Sequence, residues 1–261
     1  MRVFAVANQK GGVGKTTTAV TLAGLLAQRG YRTLMVDLDP HGSLTTYFGL
    51  DPDTLDHSVY SLFQNAPHPD PAALVRATRF ANLHLMPASS ALATLDRQLG
   101  AREGMGLVLA RALMQCAAQF DAVFVDCPPV LGVLMVNALA ASHELLIPVQ
   151  TEFLAMKGLE RMLHTLGMIL RARKRPLPYL VIPTMFDRRV QSSLESLAAL
   201  RERFPDVLWN AVIPVDTQFR EASQHGAPLN YLNPQARGVI AYTALANHLF
   251  AGNAPVARTA P

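Results

Sequence analysis

Cysteine is nearly missing from this chain: its 261 residues hold only Cys116 and Cys127. One lies in a helix-like stretch and the other at a strand end, so a disulfide framework is not expected and a reducing cytoplasm suits the protein. The sequence also lacks a charged, apolar and cleavable leader, because Met1 runs directly into an apolar strand pattern. No apolar stretch is long enough to span a bilayer without a charge or proline interrupting it, which excludes a membrane-spanning helix and predicts a soluble protein. There is no internal repeat. Charge is modest as well, with 23 basic against 19 acidic side chains, a net +4 and a pI near 9.3.

Apolar residues are abundant, half of the total, and they fall in alternating segments. Strand patterns cover Arg2 to Ala7, Thr33 to Asp37, Leu83 to Pro87, Ala122 to Asp126, Glu144 to Val149, Tyr179 to Pro183 and Leu208 to Ile213. Helical patterns cover Lys15 to Arg29, Ala91 to Gln98, Gly106 to Gln119, Gly132 to Ala141, Ala155 to Arg173, Gln191 to Phe204 and Pro234 to Phe250. Strand and helix in alternation imply parallel pairing through right-handed crossovers. The expected fold is therefore α/β, a doubly wound, mostly parallel sheet flanked by helices. Asp51 to Pro71, rich in proline and aspartate, reads as an excursion between elements. One domain is expected over residues 1–250, followed by a disordered tail over 251–261.

Lys10-Gly11-Gly12-Val13-Gly14-Lys15-Thr16-Thr17 stands between the first strand and the first helix. Glycines at 11, 12 and 14 let main-chain N–H groups turn inward, and the helix start adds its positive end to the same anion. A polyphosphate is the natural occupant, with Val13 in the cradle. Lys15 is expected on the β- and γ-phosphates, the Thr16 hydroxyl on Mg²⁺ and Thr17 on the α-phosphate. The general phosphate-loop pattern wants glycine five residues before the Gly14-Lys15 pair, where this chain has Gln9, followed by Lys10. Two more strands end in acids: Asp37-Leu38-Asp39-Pro40-His41-Gly42 and Asp126-Cys127-Pro128-Pro129. In an open parallel sheet these ends share one crevice with the loop. Acids beside a triphosphate repel it unless a metal or a water needs them. Asp126 is assigned to the magnesium shell through water, Asp39 to positioning or deprotonating the attacking water, and Asp37 to a turn or cap.

These three motifs resemble the deviant Walker A ATPases of the ParA/MinD superfamily, and the likeness runs from Met1 to about Phe250. It extends through Pro148-Val149-Gln150-Thr151-Glu152-Phe153, Pro183-Thr184-Met185-Phe186-Asp187-Arg188-Arg189, Ile213-Pro214 and Arg237-Gly238-Val239-Ile240-Ala241-Tyr242, which fit the ParA branch better than MinD. The resemblance implies ATP and Mg²⁺ as ligands and an ATP-sandwich homodimer in which Lys10 of each subunit reaches the phosphates held by the other. It implies that Glu152 reaches a ribose hydroxyl across that dimer. It also implies that Met185, Pro214, Val215 and Asp216 flank the base, a stretch that reads equally as ordinary strand-end packing.

The resemblance implies partners as well: an adaptor or stimulating protein bearing a basic peptide, a cargo, and non-specific DNA, for which Arg189 is the matching contact. Arg171, Arg173, Lys174 and Arg175 read equally as DNA contacts or as a solvated helix end. After the last strand pattern, partition members tend to carry two arginines in a stretch that here reads Ile213-Pro214-Val215-Asp216-Thr217-Gln218. The resemblance then shifts toward ParA-like ATPases that place protein cargo, especially polar chemotaxis arrays. Chromosome or plasmid partition is the alternative, and a polar or nucleoid location follows accordingly. Membrane cycling of the MinD kind needs a basic amphipathic C-terminal helix, but the end of this chain carries a single arginine, so no membrane insertion is expected. Two unpaired cysteines do not suit an iron-sulfur reductase of the superfamily.

Overall fold

Strands that are apolar on both faces can be satisfied only between two layers, and this chain builds that arrangement. The computed structural model describes residues 1–64, 69–95, 104–170 and 176–251. Among them β1 (Arg2–Val6), β2 (Thr33–Asp37), β3 (Arg76–Ala77), β4 (Leu83–Met86), β5 (Ala122–Asp126), β6 (Glu144–Gln150) and β7 (Tyr179–Thr184) form a sheet. Its order is β3-β4-β2-β5-β1-β6-β7, and every pair is parallel except β3 with β4.

Successive strand residues point to opposite faces, and each face has its own helix layer. Val3 and Ala5 of β1, with Val123 and Val125 of β5, pack beneath α3 (Val108–Gln115), α4 (Val133–Ala141) and α5 (Phe153–Leu170). Phe4 and Val6, with Phe124, pack beneath α1 (Lys15–Gln28) and α9 (Arg237–Leu249). The Phe4 and Phe124 rings stack with centroids 5.2 Å apart. Each such side chain contributes about 1.5–3 kcal/mol by leaving water. At the rim where β1 starts, Arg2 pairs with Glu144, donates to the Leu249 carbonyl and lies over the Phe4 and Phe250 rings. That one side chain ties the first strand to the last helix.

The remaining helices are α2 (Ser43–Tyr47), α6 (Gln191–Arg203), α7 (Gln218–Gln224) and α8 (Leu229–Leu232). Three of these, α2, α7 and α8, are too short for a periodic signal and carry no expectation from sequence. The strand expected at Leu208 to Ile213 is corrected: only isolated bridges form, Val181 with Leu208 and Phe186 with Pro214. Trp209 N–H reaches Val181 O at 2.9 Å and Ile213 N–H reaches Pro183 O at 2.8 Å. Pro183 between them has no N–H to give back, so the ladder cannot continue. Of Ala91 to Gln98 the described part is a 3₁₀ turn, Ser90–Thr94, capped by Ser89 and followed by a helical Leu95, and residues 96–98 lie outside the described set. Gly106 to Gln119 splits into a 3₁₀ turn and α3, which stops at Gln115. The excursion at 51–71 holds a 3₁₀ turn, Val59–Phe63. Residues 171–175 and 252–261, which carry the basic cluster and nearly all of the tail, lie outside the described residues.

Candidate functional site

Parallel order brings the loop and the acids to one edge. In register, Val6 of β1 pairs with Asp126 of β5, and Asp37 of β2 pairs with Asp126 from the other side. The segments leaving these three strands therefore emerge side by side. A cavity of about 870 Å³ opens there, and Gly11 through Thr17, Asp39, Met185, Pro214, Val215 and Asp216 line it. Lys10, Asp126, Glu152 and Arg189 stand outside that lining.

The loop's glycines answer to the cavity. Gly12 and Gly14 sit at φ 75° and 92°, in the left-handed region. A Cβ at position 11, 12 or 14 would meet no protein atom within 4 Å, so packing does not demand glycine there. Backbone conformation and an open cradle do. Helix α1 begins at Lys15 without a side-chain cap, which leaves its first amides facing the same space. Two residues brace the loop that no sequence pattern singles out. Asn8 accepts the Lys10 N–H at 2.9 Å while donating to Pro148 O at 2.8 Å, and the Thr184 hydroxyl donates to Val13 O at 2.9 Å. Asn8 offers a faint signal, a turn-forming amide one residue before the loop begins.

The acids divide by environment. Asp37 is fully buried and accepts N–H from Asp39 at 3.1 Å, and N–H and O–H from Thr45 at 2.8 and 2.7 Å. It ties down the start of α2, which is the turn-and-cap geometry expected of it. Asp126 accepts the Thr16 hydroxyl at 2.6 Å on one oxygen, and the other oxygen is buried with no hydrogen-bond partner among the described residues. Burial raises the pKa of both acids, and their mutual repulsion raises that of Asp126 further. An orphaned carboxylate oxygen beside a threonine hydroxyl suits a hydrated divalent cation. Among the described residues no cluster of three or more His, Cys, Asp or Glu could hold a metal alone, so phosphate oxygens would have to complete the shell. Asp39 is far less enclosed, lines the cavity and meets His41.

The outlying candidates are engaged with other residues of the protomer. The Lys10 ammonium pairs with the Glu152 carboxylate and lies 3.3 Å from Gln150 Oε1. Lys10 and Glu152, assigned separate roles from sequence, thus meet in one protomer at the rim. Arg189 forms a two-pronged pair with Asp187, at 3.0 and 2.7 Å, which lowers the pKa of that carboxyl to about 2. Asp216 accepts N–H from Gln218 at 3.1 Å and from Gly238 at 3.0 Å, so its carboxylate fastens α7 and α9 beside the cavity. Met185 sits at φ 53°, a strained conformation for a methionine, held by the neighbouring Phe186 bonds to Ile213 and Val215.

The sequence profile of the AAA domain family matches residues 1–178. The sporulation initiation inhibitor protein Soj of Bacillus subtilis is 35% identical over 251 residues, covering 96% of this chain and 98% of that protein. The chromosome partitioning protein ParA of Myxococcus xanthus is 32% identical over 256 residues, with 97% and 89% coverage. Among solved structures, cobyrinic acid a,c-diamide synthase from Mycobacterium smegmatis with bound ATP analog and magnesium is 34% identical. It covers 99% of this chain and 100% of its own, at a TM-score of 0.82.

Proposed function

The chain belongs to the AAA domain family and to the ParA/MinD superfamily, and from that premise we propose that it is an ATP-dependent, dimerising ATPase switch that positions cargo inside the cell. The observation that carries this reading is the placement of Lys10. Its ammonium stands at the rim beside Glu152 and outside the cavity its own loop encloses, where it is free to serve a second copy.

Each residue has a task in that switch. Lys15 and the first amides of α1 hold the β- and γ-phosphates, and Thr17 the α-phosphate. Thr16 and Asp126 hold magnesium, Asp126 through water; the metal supplies charge neutralisation to the phosphates when bound. Met185 and the Pro214-Val215-Asp216 backbone flank the base. Asp39 positions the attacking water. On closure Lys10 exchanges Glu152 for the partner's phosphate, and Glu152 is released to a ribose hydroxyl. Phe153 and Leu154 directly follow Glu152 and are 64% and 70% exposed, and Val130 beyond β5 is 61% exposed. These apolar side chains at the same strand-end edge support a joint between copies. Loss of the γ-phosphate then weakens the joint, so hydrolysis acts as a slow timer, one that a partner protein presenting a basic peptide would stimulate.

We read the cargo as protein, of the kind a polar chemotaxis array presents. Val215 and Gln218 stand where partition relatives tend to carry arginine, and Arg189 is neutralised by Asp187. A second reading, chromosome or plasmid partition on non-specific DNA, draws on the names of the relatives and on exposed Arg188 and Arg220. Residues 1–250 act as one domain in either case, in the cytoplasm, at a pole or on the nucleoid. Among the described residues no helix is long and apolar enough to cross a membrane. Sedimentation with a non-hydrolysable ATP analogue tests the switch. The parent should run as a dimer and Lys10→Ala as a monomer with ATP affinity within about threefold of the parent; an analogue-dependent dimer of Lys10→Ala would overturn it. Duplex DNA added to the parent over a salt series separates the cargo readings, since binding that falls steeply with salt selects DNA.

A further inference from the structure

Asp39-Pro40-His41-Gly42 forms a tight turn whose residue types each have a reason. The Gly42 N–H closes onto Asp39 O at 2.8 Å, with proline in the second position and glycine in the fourth. Gly42 has φ 61°, and a Cβ there would fall 2.8 Å from Pro52, so the turn is fixed both in conformation and by an external neighbour. The result is to fold His41 back over the acid that precedes it. Asp39 Oδ1 accepts the His41 N–H at 3.0 Å, and His41 Nδ1 lies 2.8 Å from the same oxygen.

This contact settles which nitrogen does what. Facing a carboxylate, Nδ1 carries the hydrogen and donates it, which leaves Nε2 as the lone pair. The His41 side chain is 78% exposed and on the cavity lining, whereas the Asp39 side chain is 13% exposed. Both contacts use Oδ1, so among the described residues Asp39 Oδ2 has no hydrogen-bond partner. Asp39 is therefore occupied in orienting an imidazole whose Nε2 faces away from the carboxylate and is open to a water. Orienting acid, imidazole and water is the arrangement that general-base catalysis requires.

We propose that His41 is the general base of ATP hydrolysis, with Asp39 as its orienting partner. This rests on the ATPase reading above. A water held at His41 Nε2 forms the new bond to the γ-phosphorus and gives its proton to that nitrogen. The bond from the γ-phosphorus to the bridging oxygen breaks, and its electron pair leaves on the β-phosphate of ADP. The imidazolium then returns its proton to solvent. An imidazole is matched to neutral pH better than a carboxylate, so the dyad adds base strength that Asp39 alone lacks.

The charged groups that line the cavity with His41 are Asp39 from its own segment, Lys15 from the phosphate loop, and Asp216 and Arg220 from the stretch entering α7. Single-turnover hydrolysis of Mg-ATP by the parent, His41→Gln, His41→Ala and Asp39→Ala, followed from about pH 5.5 to about pH 9, reads the proposal. The parent rate should fall on the acid side of that interval. His41→Gln should bind ATP as the parent does by calorimetry, hydrolyse about a hundredfold more slowly and lose that acid limb. Because the glutamine amide can still donate to Asp39 Oδ1, a Gln variant that restores the rate lost in Ala would reduce His41 to a positioning residue and overturn the proposal. So would a His41→Gln profile that keeps both the parent's rate and its acid limb. Asp39→Ala hydrolysing at the parent rate would instead remove the hydrolytic mechanism built on Asp39, independently of the histidine result.

Discussion

The two walls of the cavity are built by opposite means. The wall formed by Gly11 to Thr17 and Asp39 grows directly out of buried parallel strands, and its conformation is dictated by residue type: glycine at positive φ, a helix start without a cap, a carboxylate just past a strand end. The wall formed by Met185 and Pro214 to Arg220 hangs beyond an interrupted ladder, and backbone bonds between Phe186, Ile213 and Val215 hold it. The first wall is specified by chemistry that few residues can supply. The second is specified by shape, which many residues can supply. Phosphate recognition should accordingly be intolerant of substitution, and base recognition forgiving.

Removing a charge from the first wall gives the largest contrast. Lys15→Ala should weaken ATP binding about a hundredfold, since charge-assisted bonds to phosphate are the strong ones; calorimetry returning the parent's affinity would erase the difference between the walls. Trimming the second wall should do less. Met185→Ala is expected to weaken ATP by less than about tenfold and to leave hydrolysis of bound ATP unchanged, because it removes apolar contact and no charge. Filter binding and single-turnover rates on the same preparation check both halves of that statement.

The smallest effect sharpens the comparison from the inside. Burial raises Asp37 and Asp126 above the usual carboxylate range, so the ligand-free fold keeps protons that the unfolded chain has already released. Stability from these groups is present at low pH and is lost as pH rises toward the raised values, about 7 for Asp37 and about 8 for Asp126. The thermal midpoint of the ligand-free protein should therefore drop by a few degrees between about pH 5 and about pH 8, and Asp126→Asn should flatten the drop. A midpoint that climbs over that interval would contradict the assignment.

Legibility in the sequence follows the same division. Six of the seven expected strands form, and the loop from Gly11 to Thr17 lines the cavity with Asp39 as expected, because glycine spacing and strand-end acids are local signals. Leu208 to Ile213 looks like a strand by composition; it fails because the proline that spoils it lies on a neighbouring strand. The two-residue β3 is too short to read. Asn8 and Thr184 brace the loop through single bonds to residues far along the chain, and no spacing rule reports such a bond. The pairing of Lys10 with Glu152, and of Arg189 with Asp187, likewise depends on which side chains the fold places face to face. His41 was visible inside a motif, but its grip on Asp39 needed the turn in three dimensions.

The Arg2 fastening lies at the rim opposite the chemistry, where β1 begins rather than where it ends. Durability and turnover are consequently separable design variables in this molecule. Loosening that anchor would shorten the lifetime of the folded chain while sparing the catalytic edge, and reinforcing it would harden the scaffold without slowing the clock it carries.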